Sequence, residues 1–545
     1  MNNDLLSINI KALERFKTLC SDLIKSHNKI KQYKTLKSSS GHIVPVYVDN
    51  DRALHSLNDP RREAKRLTDT LNDEGFVVIL GLGGGYLLEA ALDREETSFV
   101  LVIDFNIKSI KELLGLIDYS KSFNDPRFYI LIDSDYQFIE QFILDNYKPA
   151  LYGSLATIPL RTRTNTDTEK FNNTVVTMEN AIKKVSRDYS VQAHFGTVWF
   201  SNIIRNIIKV EPVYDPVPAI KHAAITAAGP SLDIHIKEIK KRRNDFFLIS
   251  TDTSLPCLLF EKIYPDAVVS IDCQHVSYHH FFTGIPDGTL LFLDLASPPI
   301  VACQAAKPLF FSGSHPLTAY ISLHWCSLPH IDTSGGNITY TAVALAEKMG
   351  AEKIEMFGTD YSYPFGQTYA KGSYVYPYFE KKQKRLDTLE GLSSTFLYRT
   401  PLSKKFNDKN WYYENASLSF YREQLEQKSI HADFELIHRQ GSGAPIKLLS
   451  QTSKIKKSNL FTYGKYLINA EDFLSEYMNN IISLPLSEPY NEKHINIFTT
   501  LLPAAAALRH RDPHLNKKDL LEKTKNYCIE KIKKTLANYK NNMEA

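Results

Sequence analysis

Five short segments place small, hydroxylated or acidic residues where apolar runs end. They are Gly229-Pro230-Ser231, Asp252, Asp272, Thr333-Ser334-Gly335-Gly336 and Gly358-Thr359-Asp360. Free backbone amides at a helix start can receive a phosphate, and a serine or threonine there can cap the helix. Carboxylates can accept hydrogen bonds from sugar hydroxyls or from a base amine. Each segment alone is compatible with ordinary turn chemistry, but the four other than Asp272 together predict a nucleotide-binding site.

Other nucleotide and metal chemistries lack their sequence signals. The chain has no GxxxxGK[ST] phosphate loop and no HExxH or paired-histidine metal motif. No second acid stands close to Asp252 in the sequence to form a metal-bridging DxD pair. The sequence therefore gives no indication of a bound metal.

The elements that must position these residues alternate between strands and helices. Apolar runs that read as strands lie within 223–233, 246–260, 266–275, 289–297, 307–313 and 352–358. This alternation is typical of an α/β domain with a parallel sheet. Ligands of such sheets bind outside the carboxyl ends of the strands, where the five segments are expected to meet.

An earlier stretch, FVVILGLGGGYLLEAALD (76–93), reads as a strand, a glycine turn and a helix. The next strand, within 98–106, ends in Asp104. This pattern predicts a Rossmann-like domain. The glycines at 81–85 could admit a dinucleotide or an adenosylmethionine-type ligand, with Asp104 as the ribose-binding acid, or they could only form a tight turn in a scaffold. The sequence leaves both interpretations open.

These patterns divide the chain into four parts. We expect an N-terminal Rossmann-like domain (1–168), connecting helices (169–215), a central α/β domain (216–400) and a mainly helical C-terminal domain (401–545). Within the connecting helices, Asn202, Arg205 and Asn206 could contact a ligand or could pin the helix against the next domain. The lysine-rich final helix fits a solvated surface better than a nucleic-acid arm, because few aromatic residues are interleaved for base stacking.

Composition places the chain among globular proteins. It has 545 residues, 43% of them hydrophobic and 11% aromatic, with a net charge of +4. Six scattered cysteines form no CxxC pair, which argues against structural zinc and fits a reducing compartment. We find no signal-peptide pattern and no apolar stretch near the roughly 20 residues needed to cross a bilayer. The expectation is a cytoplasmic protein with neither a nucleic-acid partner nor a membrane span.

The order AAGPSLD, STDTSLPCLL, PDAVVSID and SGGNITYTAVALAEKMGAEKIEMFGTD resembles the motility accessory factor family. These are bacterial flagellin glycosyltransferases, and their core is shared with archaeal 6-hydroxymethylpterin diphosphokinases. HFGTVWFSNIIRNI and FVVILGLGGGYLLEAAL resemble the segment before that core and the Rossmann-like domain of the family. The resemblance covers most of residues 60–375. The core is also similar to bacterial sialyltransferases of the Campylobacter type.

The resemblance implies a fold, a reaction and a role for each segment. It implies a sialyltransferase-like central domain that uses a CMP-activated nonulosonic acid, such as pseudaminic or legionaminic acid, and needs no cofactor. The implied acceptor is a Ser or Thr hydroxyl of flagellin. Gly229, Pro230 and Ser231 would approach the phosphate, Asp252 the nucleoside and Gly358 the cytosine. Thr333, Ser334 and Gly335 would hold ribose and phosphate, with Gly336 in the same turn.

Two positions depart from the families. Ala228 stands where the sialyltransferases have asparagine, and Tyr369 stands where the flagellin transferases usually have histidine, within Thr-Tyr-Ala-Lys-Gly (368–372). Because tyrosine titrates near pH ~10, it is a poor general base at neutral pH. Asp360, Asp272 and His275 are the other candidates for the base, and Tyr369 could instead hydrogen-bond the leaving phosphate.

Two alternative functions remain open from the sequence. One is a pterin pyrophosphokinase that uses ATP and magnesium, for which Asp252 and Asp272 would have to converge on the metal. The other is a non-catalytic scaffold or chaperone for flagellin. The oligomeric state, the particular nonulosonic acid and the modified sites on flagellin do not follow from the sequence.

Overall fold

The computed structural model describes residues 3–26, 31–211, 217–407, 410–449, 460–465, 468–487 and 490–544. The chain forms two compact units. The first comprises Met1–Gly196, Pro485–Asn491 and Leu502–Thr524, and the second comprises Thr197–Leu484, Glu492–Leu501 and Lys525–Ala545.

The first unit contains a parallel sheet and a separate antiparallel hairpin. Its strands are β1 (Tyr33–Lys37), β2 (Ile43–Tyr47), β3 (Phe76–Leu80), β4 (Phe99–Asp104), β5 (Phe128–Ile132) and β6 (Leu155–Pro159). Strands β1 and β2 form the hairpin, and the parallel sheet has the order β5-β4-β3-β6. Strands β3 and β4 are buried along their whole length, as expected of a parallel sheet covered on both faces.

Among the residues that the structure describes, nine helices lie wholly within the first unit. They are α1 (Asn3–Ala12), α2 (Lys17–Lys25), α3 (Pro60–Thr68), α4 (Tyr86–Leu92), α5 (Ile107–Leu114), α6 (Ser120–Phe123), α7 (Tyr136–Asn146), α8 (Pro149–Tyr152) and α9 (Arg161–Thr164). Alternate residues of β3 belong to two different apolar clusters, with Val77 and Ile79 in one and Phe76 and Val78 in the other. The sheet therefore has a packed core on each face.

One long helix, α10 (Thr168–Ile207), replaces the expected set of connecting helices. Gly196 does not interrupt it. A Cβ at this position would lie 1.7 Å from the carbonyl oxygen of Pro503. The glycine is therefore explained by the close approach of another backbone, and it does not mark a break between two helices.

The second unit is built on a seven-stranded parallel sheet. The strands of the whole unit are β7 (His222–Thr226), β8 (Phe247–Thr251), β9 (Ala267–Ser270), β10 (Leu290–Asp294), β11 (Leu309–Phe311), β12 (Lys353–Phe357), β13 (Tyr363–Pro364), β14 (Ser403–Asn407), β15 (Asn410–Glu414) and β16 (Glu435–His438). The large sheet has the order β11-β10-β9-β8-β7-β12-β16, and β13, β15 and β14 form a small antiparallel sheet.

Helices join these strands and extend to the end of the described chain. They are α11 (Leu232–Lys241), α12 (Leu255–Phe260), α13 (Pro299–Ala302), α14 (Pro316–His324), α15 (Ile338–Lys348), α16 (Val375–Lys382), α17 (Leu389–Leu397), α18 (Ala416–Ile430), α19 (Ala470–Ile482), α20 (Glu492–Arg511) and α21 (Lys517–Glu544). Two 3₁₀ helices, Asp252–Ser254 and His275–Phe281, follow β8 and β9. Helix α15 is nearly all buried, and its alanines belong to the main core of this unit.

The large sheet has the parallel α/β arrangement predicted for the central domain, with doubly wound topology. From β7 the chain moves outward through β8, β9, β10 and β11, then returns to β12 on the other side of β7. The direction reverses between β7 and β12, and the carboxyl ends at such a switch point are the usual ligand crevice. The fold class is confirmed as α/β, with a helical C-terminal region.

The sheet extends further along the chain than the sequence indicated. Strand β16 pairs in parallel with β12, and β14 and β15 also follow residue 400. The region 401–545 is therefore helical mainly in its second half. The segment ELIH is short and isolated between a helix and a glycine-rich loop, so periodicity did not identify it.

Candidate active site

The Gly-Pro-Ser turn after β7 and the Gly-Thr-Asp segment after β12 lie against each other. Gly229 N donates to Gly358 O at 2.9 Å, and Ser231 N donates to Asp360 Oδ2 at 2.8 Å. A Cβ on Gly229 would lie 2.3 Å from that carboxylate oxygen. Gly358 has φ +69°, and its Cβ would lie 2.2 Å from Ala227 O. Both glycines are therefore required by close packing, while Pro230 is buried within the same turn.

A second pair of glycines covers this arrangement from beyond β16. A Cβ on Gly441 would lie 2.1 Å from Ser231 Cβ, and one on Gly443 would lie 2.6 Å from Asp360 Oδ1. Asp360 is only 3% exposed, and burial raises its pKa to about 6. The sequence analysis missed both glycines, although Gly-Ser-Gly following a short apolar run was the available signal. This geometry favours a positioning role for Asp360 over direct contact with substrate.

Asp252, at the end of β8, is buried and already hydrogen-bonded through both oxygens. Thr253 donates to Oδ1 from its amide at 2.6 Å and from its hydroxyl at 2.9 Å, and Ser270 Oγ donates to Oδ2 at 2.6 Å. These donors hold the carboxylate in one orientation. Oδ1 accepts two of these bonds and Oδ2 accepts one, so the remaining acceptor position open to a ligand is on Oδ2.

Asp272, after β9, lies in a polar cluster that we define as Asp252, Asp272, His280, Tyr369 and Tyr374. Burial raises the pKa of Asp272, and the nearby charge of Asp252 raises it further. Gln274 N donates to Asp272 Oδ1 at 2.8 Å. The cluster lies above β8 and β9, whereas Asp360 follows β12, three strands from β9. Since neighbouring strands are about 4.8 Å apart, Asp272 and Asp360 belong to separate parts of the sheet edge.

Tyr369 lies over β7 and β8, close to Asp252. The following amide, Ala370 N, donates to Ala228 O at 2.9 Å, which anchors the segment to the end of β7. Burial raises the pKa of Tyr369 above its ordinary value, and the negative charge of Asp252 acts in the same direction. Tyr369 is therefore a neutral hydroxyl at physiological pH and is unsuited to accept a proton.

The Thr-Ser-Gly-Gly turn is the most open of the five segments. Ser334 and Gly336 are exposed and Thr333 is half-buried. Thr333 Oγ1 accepts from Ser314 N at 3.1 Å, which ties the turn to the residues that follow β11. The turn leads directly into α15, so it presents exposed small residues at the N-terminal end of a helix.

Side chains around the turn explain its two glycines. A Cβ on Gly335 would lie 2.2 Å from the ring of Tyr340, and Gly336 has φ +70°. Tyr340 donates from its hydroxyl to Asp332 Oδ2 at 2.6 Å, and Ser334 N donates to Asp332 Oδ1 at 2.9 Å. The turn is thus held in shape from beneath while its outer surface stays open.

Asp294, at the end of β10, lies near Thr333 of the open turn and was not singled out from the sequence. Its Oδ2 would lie 2.1 Å from a Cβ on Gly313, and the hydroxyl of Thr333 would lie 3.2 Å from the same point. Ala296 N donates to Oδ1 at 2.7 Å. Burial raises the pKa of Asp294 to about 7. The charge of Asp294 also raises the pKa of Cys273, the residue that follows Asp272 of the cluster.

Two asparagines of α10 hold loops at this sheet edge. Asn202 Nδ2 donates to the carbonyl oxygens of Cys273 and Ala296 at 3.0 and 2.9 Å. Asn206 Nδ2 donates to those of Leu295 and Ser297 at 3.0 and 2.7 Å. Both side chains are buried, whereas Arg205 is exposed. These contacts favour the pinning role over ligand binding for the two asparagines.

The glycine turn of the first unit is filled by the chain itself. A Cβ on Gly81 would lie 2.8 Å from Arg163 Cγ, and one on Gly83 would lie 2.4 Å from Leu160 Cδ2. His55 Nε2 accepts from Gly84 N at 2.8 Å. All residues from 81 to 85 are buried.

Asp104, the expected ribose ligand, is committed to the protein. Its Oδ1 accepts from Arg163 at 2.8 Å, and its Oδ2 accepts from Leu82 N at 2.9 Å. The carboxylate is 1% exposed. This geometry favours a scaffold over a dinucleotide or adenosylmethionine site.

The described residues offer neither a metal-binding cluster nor a membrane-spanning helix. Across these ranges, His, Cys, Asp and Glu side chains nowhere gather in groups of three or more that could hold a metal ion. Among the same residues, every helix is too short or too polar to cross a membrane.

The central region is similar to a known protein family. Residues 200–366 match the model of the 6-hydroxymethylpterin diphosphokinase MptE-like family. Two uncharacterized proteins of Treponema pallidum (strain Nichols) are each 34% identical, over 152 and 109 residues, covering 27% and 19% of this chain. These alignments cover 54% and 52% of those proteins, so the chain spans about half the length of the curated relatives it matches.

The whole chain has the fold of a glycosyltransferase. A MAf glycosyltransferase from Magnetospirillum magneticum AMB-1 superposes with a TM-score of 0.58 at 14% identity, covering 100% of this chain and 98% of the other. The matched central domain and the whole-chain fold together support the resemblance to the motility accessory factor family.

Proposed function

We propose that this protein is a glycosyltransferase that moves a nonulosonic acid from its CMP-activated form to Ser or Thr hydroxyls of flagellin, and so supports assembly of the flagellar filament. The observation that carries the proposal is the glycosyltransferase fold along the whole chain. The nature of the sugar and of the acceptor rests on the sequence resemblance. The proposed reaction takes place in the cytoplasm.

The open turn before α15 supports a place for the nucleotide. Thr333 and Ser334 carry hydroxyls, and Gly336 exposes its backbone. The N-terminus of the 11-residue helix α15 adds the positive end of the helix dipole. The N-terminus of α11 is less suitable for a phosphate, because Asp360 already accepts from Ser231 N. We therefore assign the phosphate and ribose of CMP to the turn at 333–336.

The chemistry requires one new bond and one broken bond. The acceptor oxygen attacks the anomeric carbon, and the bond from that carbon to the phosphate oxygen breaks. A general base takes the hydroxyl proton, and the leaving phosphate carries away the bonding electrons. Backbone amides and hydroxyls at the helix start stabilise that charge without a metal.

The test is sugar transfer measured on intact protein. Purified flagellin is incubated with the protein and a CMP-nonulosonic acid, and the flagellin is weighed by mass spectrometry. We expect mass increments of one sugar residue and release of CMP. No mass gain together with no CMP binding by calorimetry would contradict the proposal.

A variant of the exposed turn tests the nucleotide assignment. Ser334→Ala should weaken CMP binding at least several-fold. Its unfolding temperature should change little, because Ser334 is exposed and Asp332 keeps its hydrogen bonds from Ser334 N and Tyr340. Ser39→Ala, at another exposed serine in the β1–β2 hairpin, is the matched control and should bind CMP normally. Unchanged affinity in Ser334→Ala would move the nucleotide elsewhere.

A pyrophosphokinase is the second candidate, because the family model covers the central domain and because Asp252 and Asp272 are close enough for one charge to affect the other. That function predicts AMP release from ATP and magnesium in the presence of 6-hydroxymethylpterin. The hydrogen bonds that already engage both oxygens of Asp252 count against it. Flagellin binding with neither reaction would support the scaffold.

A further inference from the structure

His280 lies among the residues of the candidate site but was not recognised from the sequence. It belongs to the 3₁₀ helix His275–Phe281, which follows Asp272 at the carboxyl edge of the large sheet. Its ring contacts the ring of Tyr374, with centroids 4.4 Å apart and planes at 89°. Tyr374 in turn lies 6.2 Å from Tyr369, the residue that stands where the related transferases usually have histidine.

The imidazole ring of His280 is buried, and one of its two nitrogens lacks a hydrogen-bond partner among the described residues. The residue is 8% exposed, and its Nδ1 is buried with no hydrogen-bond partner among the residues that the structure describes. An unpaired polar atom in a protein interior is costly, so it calls for a partner such as a water or a ligand, or for a role in chemistry. His275, the histidine expected from the sequence, is exposed. The second unit therefore contains an enclosed histidine beside the acids of the sheet edge.

The surroundings of His280 combine acids, hydroxyls and cations. The elements packed against its helix contribute Asp252 and Cys257, and the helix itself contributes His275, Tyr278 and His279. Tyr378, Lys381 and Lys382 lie near His279, and Asp252, Asp272 and Arg399 lie near Tyr374. Asp272 is near enough for the charge of His280 to affect it. A carboxylate beside an imidazole stabilises the imidazolium that forms when the ring takes a proton.

We propose that His280 is the general base of sugar transfer and that it supplies, from a different element, the function lost where tyrosine occupies position 369. The inference rests on the proposed glycosyltransferase function. His280 Nε2 takes the proton of the acceptor hydroxyl, while the enclosed Nδ1 keeps its own proton. The acceptor oxygen bonds to the anomeric carbon, the phosphate departs with the electron pair, and the imidazolium later releases its proton to water. Asp272 stabilises the positive ring.

The first test compares two neighbouring histidines. His280→Gln keeps a polar side chain but cannot act as a base, so the kcat of sugar transfer should fall about 100-fold or more. CMP affinity and unfolding temperature should stay near the wild-type values. His279→Gln is the matched control, because His279 lies on the same helix, is half-buried and also contacts Tyr374. Its kcat should remain within about twofold of wild type, as expected for a residue outside proton transfer.

The second test uses the pH dependence and does not require a His280 variant to fold. Wild-type kcat should fall as the medium is acidified, because a protonated base cannot accept the hydroxyl proton. Asp272→Asn removes a negative charge that favours the imidazolium, so this acid limb should move to lower pH. A purely structural role for His280 would leave the limb unmoved.

The outcomes separate this inference from the proposed function. Absence of any sugar transfer by the wild-type protein would overturn both. Normal transfer with unchanged kcat and pH profile in His280→Gln would overturn the role of His280 alone. Complete loss of the acid limb in Asp272→Asn would make Asp272 the base and would also overturn the role of His280. A lowered kcat with intact CMP binding, together with a shifted limb, is the expected result.

Discussion

The backbone amide of Ser231 donates to the carboxylate of Asp360 at 2.8 Å, so the first free amide of α11 is paired within the protein. A helix start is a common place for a phosphate, but here a side chain of the chain supplies the negative charge. The first unit does the same at its own switch point, where Asp104 accepts from Leu82 N. In both sheets an internal carboxylate occupies the position expected for a ligand.

Asp360 should make stability depend on pH. Its pKa in the folded protein, about 6, is above the ordinary 3.8, because burial penalises the charged form. Its contribution to stability is therefore fully present below pH ~4 and is lost as the pH rises through about 6. Asp360→Asn does not titrate, so the difference between its unfolding temperature and that of the wild type should become more favourable to the variant from pH 5 to pH 8. Thermal unfolding at the two pH values measures this, and a constant difference would contradict it.

Gly443→Ala should destabilise the second unit. The added methyl would lie 2.6 Å from Asp360 Oδ1 and 2.8 Å from the backbone oxygen of Asp360. Overpacking of this kind costs about 1–3 kcal/mol. Gly391→Ala is the matched control, because it lies in α17 with no closer neighbour than 3.4 Å and should gain about 0.5–1 kcal/mol. Chemical denaturation measures both changes. If Gly443→Ala were as stable as the wild type, the loop 440–444 would have moved to make room for the methyl group, which would contradict the prediction.

Glu355→Gln should lower the free energy of unfolding at neutral pH and should reduce the loss of stability in acid. Glu355 is 0% exposed and accepts from Arg242 at 2.7 Å and from Arg439 at 2.6 Å. Although burial opposes ionisation, these hydrogen bonds hold its pKa at about 2, below the ordinary 4.5. The stabilisation is present above pH ~4.5 and is lost as the pH falls toward 2. At pH 7 the free energy of unfolding of the variant should be about 2 kcal/mol lower than that of the wild type. The two free energies should converge as the pH is lowered toward 2, which denaturation at several pH values measures.

The first unit should bind neither NAD nor S-adenosylmethionine. Side chains of Arg163, Leu160 and His55 occupy the space beside the glycine turn, and Asp104 is paired with Arg163. Calorimetry of the full chain with each ligand should show no heat of binding, with CMP as the positive comparison in the same preparation. Micromolar affinity for either ligand would show that the turn opens.

The strands that carry the candidate site could be predicted because parallel strands buried on both faces read as continuous apolar runs. The acids Asp252, Asp272 and Asp360 were recognisable for the same reason, since each follows such a run. Their separation along the sheet edge could not be predicted, because strand order is set by tertiary packing. The assignment of substrate roles to these residues stays a prediction.

The missed residues act through contacts distant in sequence. Gly443 lies against Asp360, and His280 against Tyr374, across separations that no local period reveals. Asp294 lay in a recognised strand, yet its relation to Thr333 depends on how the residues after β11 fold back. The connecting helices expected over 169–215 proved to be one helix, α10, whose Gly196 is explained only by the distant backbone of Pro503.

The late position of β16 has a consequence for synthesis of the protein. Strand β12 ends at Phe357, but its outer partner begins at Glu435. On a ribosome adding about 5–20 residues per second, roughly 4–16 s separate the two. During that interval β12 is an unpaired edge, which is a template for wrong pairing with other chains. The nascent chain therefore depends on its own later segment, or on a chaperone, to protect the sheet beside the candidate site.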